Sequence, residues 1–204
     1  MSTSRCQRKP DRPQPQAIEP QPLKNFRLKG EVEIDEFYLG GYEEGLKGGR
    51  QRGKKTLCAI AIAIEVRGRG SGRLRLQILP DPSSASLLAL TKATTTPGAT
   101  VHTDGYQAYN ALAEHGYDHR RRPKQSVSPG EELLPRAHRA ISNLKAWMHG
   151  THRGVSPEHL PVYLDEFVFR HNRRGTPMAG FQTLLGLGLA HEPITYRQII
   201  DRAA

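Results

Sequence analysis

Two aspartates stand where a β-strand would carry a carboxylate to the edge of a sheet. Asp35 lies inside the apolar segment 32–41, and Asp104 closes the segment 99–104, directly before Gly105. Paired aspartates on neighbouring strands are the ligands that two hard divalent cations require. An Asp-Gly pair after a strand is by itself most often a turn, so the assignment of a metal site depends on the residues that accompany the pair.

A helix further along the chain supplies those residues. Pro135 is placed to open it and Gly150 to close it. At about 100° per residue, His138 and Lys145 fall on the same side of this helix, beside its apolar face, whereas Asn143 falls away from that face. A histidine at such a margin is more often a packed or surface residue, but a lysine two turns later favours a shared site. We therefore expect His138 and Lys145 to face the same place.

Basic residues are concentrated in a few segments. Lys+Arg number 30 against Asp+Glu 20, giving a formal net charge of +10, so an acidic partner such as nucleic acid is expected. The glycine-rich loop 42–55, which contains Lys54 and Lys55, is either a solvated hairpin connection or a phosphate contact. The stretch 119–124 adds Arg121 and Arg122 as further candidate DNA-binding residues.

A second charged set lies on the predicted helix 157–173. Glu166, Arg170 and Arg173 follow one another at i, i+4 and i+7. The plain interpretation is an intrahelical ion pair between Glu166 and Arg170, worth about 0.2–0.5 kcal/mol. That pair does not account for the arginines at the helix end, which are suited to bidentate contacts with phosphates. We interpret the set as DNA-binding.

The elements that must position these residues follow from apolar periodicity. The order strand, strand, strand, helix, strand, helix predicts an α/β protein with a ribonuclease-H-like mixed sheet flanked by helices. The predicted domain covers 29–190, between a disordered Pro-rich tail at 1–28 and a C-terminal tail at 191–204. The predicted strands are 32–41, 56–66, 74–81 and 99–104, and the predicted helices are 84–93, capped by Ser83 or Ser84, 105–116, 135–150, 157–173 and 178–187.

Composition excludes several classes of protein. The longest apolar run, 57–64, is far shorter than the roughly 20 residues of a membrane-spanning helix. The N-terminal residues lack the apolar segment of a secretory signal, which predicts a cytoplasmic protein. Cys6 and Cys58 are the only cysteines, so neither a disulfide framework nor a four-cysteine zinc site is expected.

Four blocks in order resemble a known family. VEIDEFYLGG, TVHTDGYQAY, HRAISNLKAWMHGTHRGVS and HLPVYLDEFVFRHNRR are similar to the prokaryotic insertion-sequence transposases of the ISXO-like type, a branch of the DDE superfamily. The similarity covers roughly residues 29–187. It implies a ribonuclease-H-like domain that binds two Mg²⁺ ions, acts as a homo-oligomer in a complex with transposon ends and target DNA, and cuts and rejoins those ends.

The resemblance also implies roles for single residues. Asp35 and Asp104 match the two metal-binding aspartates, and Lys145 matches the lysine after the third position. Many relatives have glutamate at that third position, where this chain offers His138 or, as a rival, Asn143. Neither carries a negative charge, so weaker Mg²⁺ binding, a preference shifted toward Mn²⁺ and impaired activity are expected. Glu166, Arg170 and Arg173 match the Glu, Arg, Arg set that accompanies the triad in some branches.

The chain departs from the family at its front. Relatives usually carry an N-terminal DNA-binding region with a zinc ribbon, whereas here a Pro-rich segment with one cysteine precedes the first block. We interpret the chain as a candidate truncated reading frame and expect little discrimination between transposon ends and random DNA. The leading hypothesis is a DDE transposase. The alternatives are a non-catalytic DNA-binding remnant of a transposase and a ribonuclease-H-type nuclease that acts on other nucleic acids.

Overall fold

A computed structural model describes residues 26–40, 55–65, 70–123, 125, 128, 130–152 and 155–190. The strands in these ranges are β1 (Glu31–Leu39), β2 (Thr56–Ile64), β3 (Ser71–Ile78), β4 (Thr100–Thr103) and β5 (Asp118–Arg121). The α-helices are α1 (Ser84–Thr94), α2 (Pro135–Trp147), α3 (Leu160–Asn172) and α4 (Pro177–Ala190). A 3₁₀ helix covers Gln107–His115, and a π-helical turn covers Met148–His152.

The strands form one mixed sheet in the order β3-β2-β1-β4-β5. β1, β2 and β3 are antiparallel neighbours, while β4 runs parallel to β1 and β5 runs parallel to β4. The predicted α/β fold, a ribonuclease-H-like mixed sheet with helices packed on it, is confirmed. β5 was not predicted, because its sequence DHRR is polar and mostly exposed. Its pairing with β4, and not an apolar pattern of its own, makes it a strand.

Alternation along β1 divides the core into two layers. Phe37 and Leu39 pack with α2 and α3 on one face of the sheet, whereas Val32 and Ile34 pack with α1 and the 3₁₀ helix on the other. Successive side chains of a strand point to opposite faces, so a single strand serves both layers. This places β1 at the centre of the molecule, with helices above and below it.

Local signals fix the ends of several elements. Ser83 caps α1, its side chain accepting a hydrogen bond from the backbone N–H of Ser86 at 3.3 Å. Gly116 ends the 3₁₀ helix in the left-handed conformation, with φ +81°. Pro135 opens α2 as expected, and the helix continues through the π-helical turn to His152, slightly beyond the predicted end at Gly150.

The folded part includes residues that the sequence assigned to the N-terminal tail. Leu28 is 3% exposed, and its backbone N–H donates to Thr94 O at 2.7 Å while its carbonyl accepts from Thr96 N at 2.9 Å. Residues 1–25, most of the loop 42–55 and the predicted C-terminal tail at 191–204 lie outside the described residues. Among the described helices, none has the length and apolar character needed to cross a membrane.

Candidate active site

Asp35 and Asp104 lie on adjacent parallel strands. The register of β1 and β4 pairs Glu33 with His102, and two further steps along both chains bring Asp104 opposite Asp35. Neighbouring strands lie about 4.8 Å apart, and directly opposite residues of a parallel pair project from the same face. The register therefore directs both aspartates to the face that packs against α2, and the charge of Asp104, directly after β4, acts on Asp35.

The environment of Asp35 disfavours its charged form. Burial, followed by the negative charges of Glu36 and Asp104, raises the pKa of Asp35 from 3.8 to about 7. The positive charge of Lys145 lowers this pKa, as does a backbone hydrogen bond. A mostly buried carboxyl beside a second carboxylate is a place where a bound cation relieves repulsion. The local electrostatics therefore suit a metal ligand.

α2 brings its two predicted site residues to Asp35. The imidazole Nε2 of His138 lies 3.5 Å from Oδ2 of Asp35, with the two side chains 41% and 15% exposed. The Lys145 ammonium lies 5.9 Å from the centre of the Phe37 ring, two residues along β1. Asn143 lies on the exposed side of α2. The helical phase read from the sequence thus separates His138 from its rival in the structure as well.

A buried glutamate fixes the start of α2. Glu33 is 2% exposed, and its Oε2 accepts hydrogen bonds from the backbone N–H groups of Arg136 and Ala137, each at 2.8 Å. The Arg136 guanidinium donates to Oε1 at 3.0 Å. First-turn N–H groups have no partner within a helix, and a carboxylate there also interacts favourably with the helix dipole. Glu33 therefore holds α2, and with it His138, beside Asp35.

Sequence reasoning missed Glu33, although one signal was present. Position 33 shares the face of Asp35, Phe37 and Leu39 in the alternation of β1. A glutamate on a buried face needs hydrogen-bond partners. The sequence does not identify those partners, because they lie 103 and 104 residues away.

The opposite face of the sheet anchors the backbone on which the aspartates stand. The hydroxyl of Tyr109, which is fully buried, donates to Glu36 Oε2 at 2.6 Å. Burial and then the charge of Glu36 raise the pKa of Tyr109. After β4, Asp104 Oδ1 accepts from the backbone N–H of Tyr106 at 2.9 Å, which fixes the turn behind this strand. Asp104 therefore combines the turn role with its place beside Asp35.

A groove of about 580 Å³ opens beside Asp104 and is lined also by Gln107 and Arg121. The Arg121 guanidinium donates to the backbone carbonyl of Gly105 at 2.6 Å, so a positive charge lies at the groove next to the aspartates. Arg122 lines a separate groove of about 480 Å³. Of Arg121 and Arg122, Arg121 is the one that lines the groove beside Asp104.

Among the described residues, the remaining predicted DNA-binding residues lie on α3, directly after it and directly before β2. Arg170 pairs with Glu166 at 2.9 Å and lies 5.9 Å from the Trp147 ring. Arg173 instead packs on Phe169, with its guanidinium carbon 4.3 Å from the ring centre. Lys54 lies outside the described residues, and Lys55 directly precedes β2.

The donor set fits a divalent cation, although the side chains do not form a ready-made cage. Within the described ranges, no three His, Cys, Asp or Glu side chains are grouped closely enough to hold a metal ion. Asp35 and His138 are nevertheless in contact, and the charge of Asp104 acts on Asp35. Two carboxylates and one imidazole are ligands that Mn²⁺ accepts and that Mg²⁺ binds less well.

Comparisons with known proteins found a matching family model and a similar solved structure. The family model of the ISXO2-like transposase domain matches residues 27–172, a range that contains Asp35, Asp104, His138 and Lys145. No curated protein matches the chain. A chain from the cryoEM structure of the simian T-cell lymphotropic virus intasome in complex with PP2A regulatory subunit B56 gamma is similar at 13% identity and a TM-score of 0.42. The match covers 75% of this chain and 53% of that one.

Proposed function

We propose, since this chain belongs to the family of ISXO2-like transposase domains, that it cuts DNA strands and joins the new ends to other DNA in a reaction that depends on divalent cations. The observation that supports the proposal is the contact of His138 with Asp35, together with the position of Asp104 directly after the neighbouring strand β4. These three residues would hold two ions, Mg²⁺ or Mn²⁺. Bound ions would supply an activated oxygen nucleophile and stabilise the leaving oxygen at a phosphodiester.

The other residues position the helix and the DNA. Lys145, close enough to Asp35 to lower its pKa, would hold a phosphate beside the aspartates. Arg121, at the adjacent groove, would bind the backbone on the other side of Asp104. Glu33 keeps α2 in register with β1. The partners in this proposal are transposon ends and target DNA, bound by a homo-oligomer.

The experiment is nicking of a supercoiled plasmid, followed by transfer of a labelled oligonucleotide end into it. The purified full chain is tested with Mn²⁺, with Mg²⁺ and with a chelator. We expect nicking and transfer in Mn²⁺, weaker reaction in Mg²⁺ and none with chelator. Asp35→Asn and Asp104→Asn should each abolish both reactions. Equal nicking by wild type and by both variants would contradict the proposal.

A second candidate function is a DNA-binding remnant that does not cut. The neutral third position at His138 favours it, since two carboxylates alone hold hard cations less tightly. Such a protein would bind duplex DNA with no product in either metal. A ribonuclease-H-type nuclease, by contrast, would cut in a metal-dependent way but would not join a labelled end to the plasmid.

A further inference from the structure

The end of α3 is fastened to β3, the outermost strand of the described sheet on that side. The Asn172 side chain accepts from the backbone N–H of Leu74 at 2.8 Å and donates to the Leu74 carbonyl at 3.0 Å. The Arg174 guanidinium donates to the carbonyl of Ser71. Asn172 thus satisfies backbone groups that an edge strand would otherwise expose. The attachment fixes the arginines at the end of α3 relative to those of β3.

Aromatic rings support these arginines. The guanidinium carbons of Arg73 and Arg75 lie 5.1 and 5.4 Å from the centre of the Phe26 ring, and Arg173 packs on Phe169 in the same way. A guanidinium stacked on a ring keeps its charge and its planar donor edge, which matches a phosphate bidentately. We name Arg73, Arg75, Arg173 and Arg174 the β3-edge surface.

Positive charge accumulates on the β3-edge surface. The charge of Arg73, after burial, lowers the pKa of Arg173, so the two cations repel each other. In the part of the chain that the structure describes, the ion pairs do not involve Arg73, Arg173 or Arg174. Arg75 differs from these three, because burial lowers its pKa and the negative charge of Asp165 raises it. Because arginine cannot lose its proton in proteins, an anion from outside is the means of relieving this repulsion.

The β3-edge surface is separate from the candidate active site. β3 lies two strands away from β1. Leu74 and Leu76 point to the face that packs against α2 and α3, so Arg73 and Arg75 alternate to the opposite face. Asp35 lies on the α2 face. A duplex held at the active site therefore does not account for Arg73 and Arg75, while Arg173 and Arg174 follow α3 and are fastened next to β3.

We propose that the β3-edge surface binds the phosphate backbone of duplex DNA outside the active site, as a second contact for flanking or target DNA. The identity of the partner rests on the proposed function. The contact positions DNA and does not read its sequence, because stacked arginines facing phosphates carry no base information. It adds to the net affinity through counterion release.

The test is fluorescence anisotropy of labelled duplexes with the full chain, in chelator, at several salt concentrations. Arg73→Ala combined with Arg173→Ala should reduce the slope of log affinity against log salt by about 2, at about 0.9 per phosphate contact. Affinity should fall about equally for unrelated sequences. Arg73→Lys with Arg173→Lys should keep most of the slope, because the charges remain.

The matched control removes the same charge elsewhere. Lys29→Ala combined with Lys92→Ala changes two exposed lysines and should leave the slope nearly unchanged. If the control lost as much of the salt slope as the arginine variant, net charge alone would explain the loss, and the proposal would be overturned. Equal competition by poly-L-glutamate at matched charge would assign the surface to an acidic polypeptide and overturn it too.

The two proposals fail separately. If wild type nicks plasmid in Mn²⁺ but the arginine variant keeps the wild-type salt slope, the β3-edge surface is refuted and the transposase proposal stands. If the slope falls as expected while nicking is absent or independent of metal, the surface stands and the transposase proposal fails. Circular dichroism of each variant verifies that it is folded before either comparison is made.

Discussion

The carboxylate of Glu33 on the central strand caps the helix that begins at Pro135, accepting a hydrogen bond from the backbone N–H of Arg136 at 2.8 Å. Glu33 is two residues before Asp35, and Arg136 is two residues before His138. One hydrogen-bonded carboxylate therefore links the strand of the first site residue to the helix of the third. We expect the contact between Asp35 and His138 to depend on this link.

Replacing Glu33 tests that dependence. Glu33→Ala removes the carboxylate that pairs with the mostly buried Arg136 guanidinium and accepts from two backbone N–H groups of α2, so the free energy of unfolding should fall by about 3 kcal/mol. Glu33→Gln keeps an acceptor oxygen, so its free energy of unfolding should fall less. In both variants Mn²⁺-supported nicking should drop about 10- to 100-fold at saturating DNA, as for residues that orient metal ligands, with the Kd for DNA unchanged.

A structural control separates positioning from stability. Leu87 is fully buried in the opposite layer, and Leu87→Ala should cost about 2–5 kcal/mol through the cavity it leaves. Below its unfolding temperature, this variant should retain the wild-type nicking rate and metal affinity. A parallel loss of nicking in Leu87→Ala and Glu33→Gln would mean that Glu33 acts through stability alone.

Exchange at the third position decides between His138 and Asn143. His138→Ala should abolish Mn²⁺-supported nicking, because its imidazole lies 3.5 Å from Asp35, whereas Asn143→Ala should leave it intact. His138→Glu adds the missing negative charge and should raise the Mg²⁺-supported rate about tenfold, equivalent to about 1.4 kcal/mol. The measurement is the initial nicking rate in each metal. If His138→Ala kept the wild-type rate and Asn143→Ala were inactive, Asn143 would be the third site residue.

Removing the charge of Asp35 should stabilise the metal-free protein while destroying its activity. The pKa of Asp35 is about 7 in the folded chain against 3.8 ordinarily, so the stabilising contribution of this carboxyl is present below pH 3.8 and lost as pH rises through 7. In chelator at pH 8, Asp35→Asn should therefore have a higher Tm than wild type, and the difference should shrink toward pH 4.

Metal provides the complementary measurement. Mn²⁺ should raise the Tm of wild type at pH 8, because binding to the folded state alone stabilises it, and should leave the Tm of Asp35→Asn nearly unchanged. Identical thermal shifts in the two proteins would show that Mn²⁺ binds elsewhere.

His171 should make the protein less stable in mild acid. Burial, followed by the positive charge of Arg174, lowers the pKa of His171 from 6.5 to about 4. The unfolded chain then binds the proton more readily between these values, so stability is full above pH 6.5 and is lost as pH falls toward 4. Between pH 7 and pH 5, the free energy of unfolding measured in urea should decrease more for wild type than for His171→Asn. The same decrease in both would exclude His171 as the cause.

Local patterns were enough to predict most of the fold. Apolar segments rich in Val, Ile and Leu marked β1 to β4, Ser83 or Ser84 marked the start of α1, and the helical phase put His138 and Lys145 on one side of α2. These signals lie within a few residues of one another and reflect burial of one face, so they can be read from the chain directly. The order of the elements then placed Asp35 and Asp104 on neighbouring strands.

The tertiary structure decided what depends on contacts between distant polar residues. β5 exists through its partner β4, the partners of Glu33 lie 103 and 104 residues away, and Asn172 binds a strand residue at a separation of 98. Arg173 and Arg73 become neighbours only through that attachment. A hydrogen bond or a charge pair needs one complementary group in one place, which leaves no periodic trace in the sequence. The apolar faces bring the elements together, and only then do such pairs form.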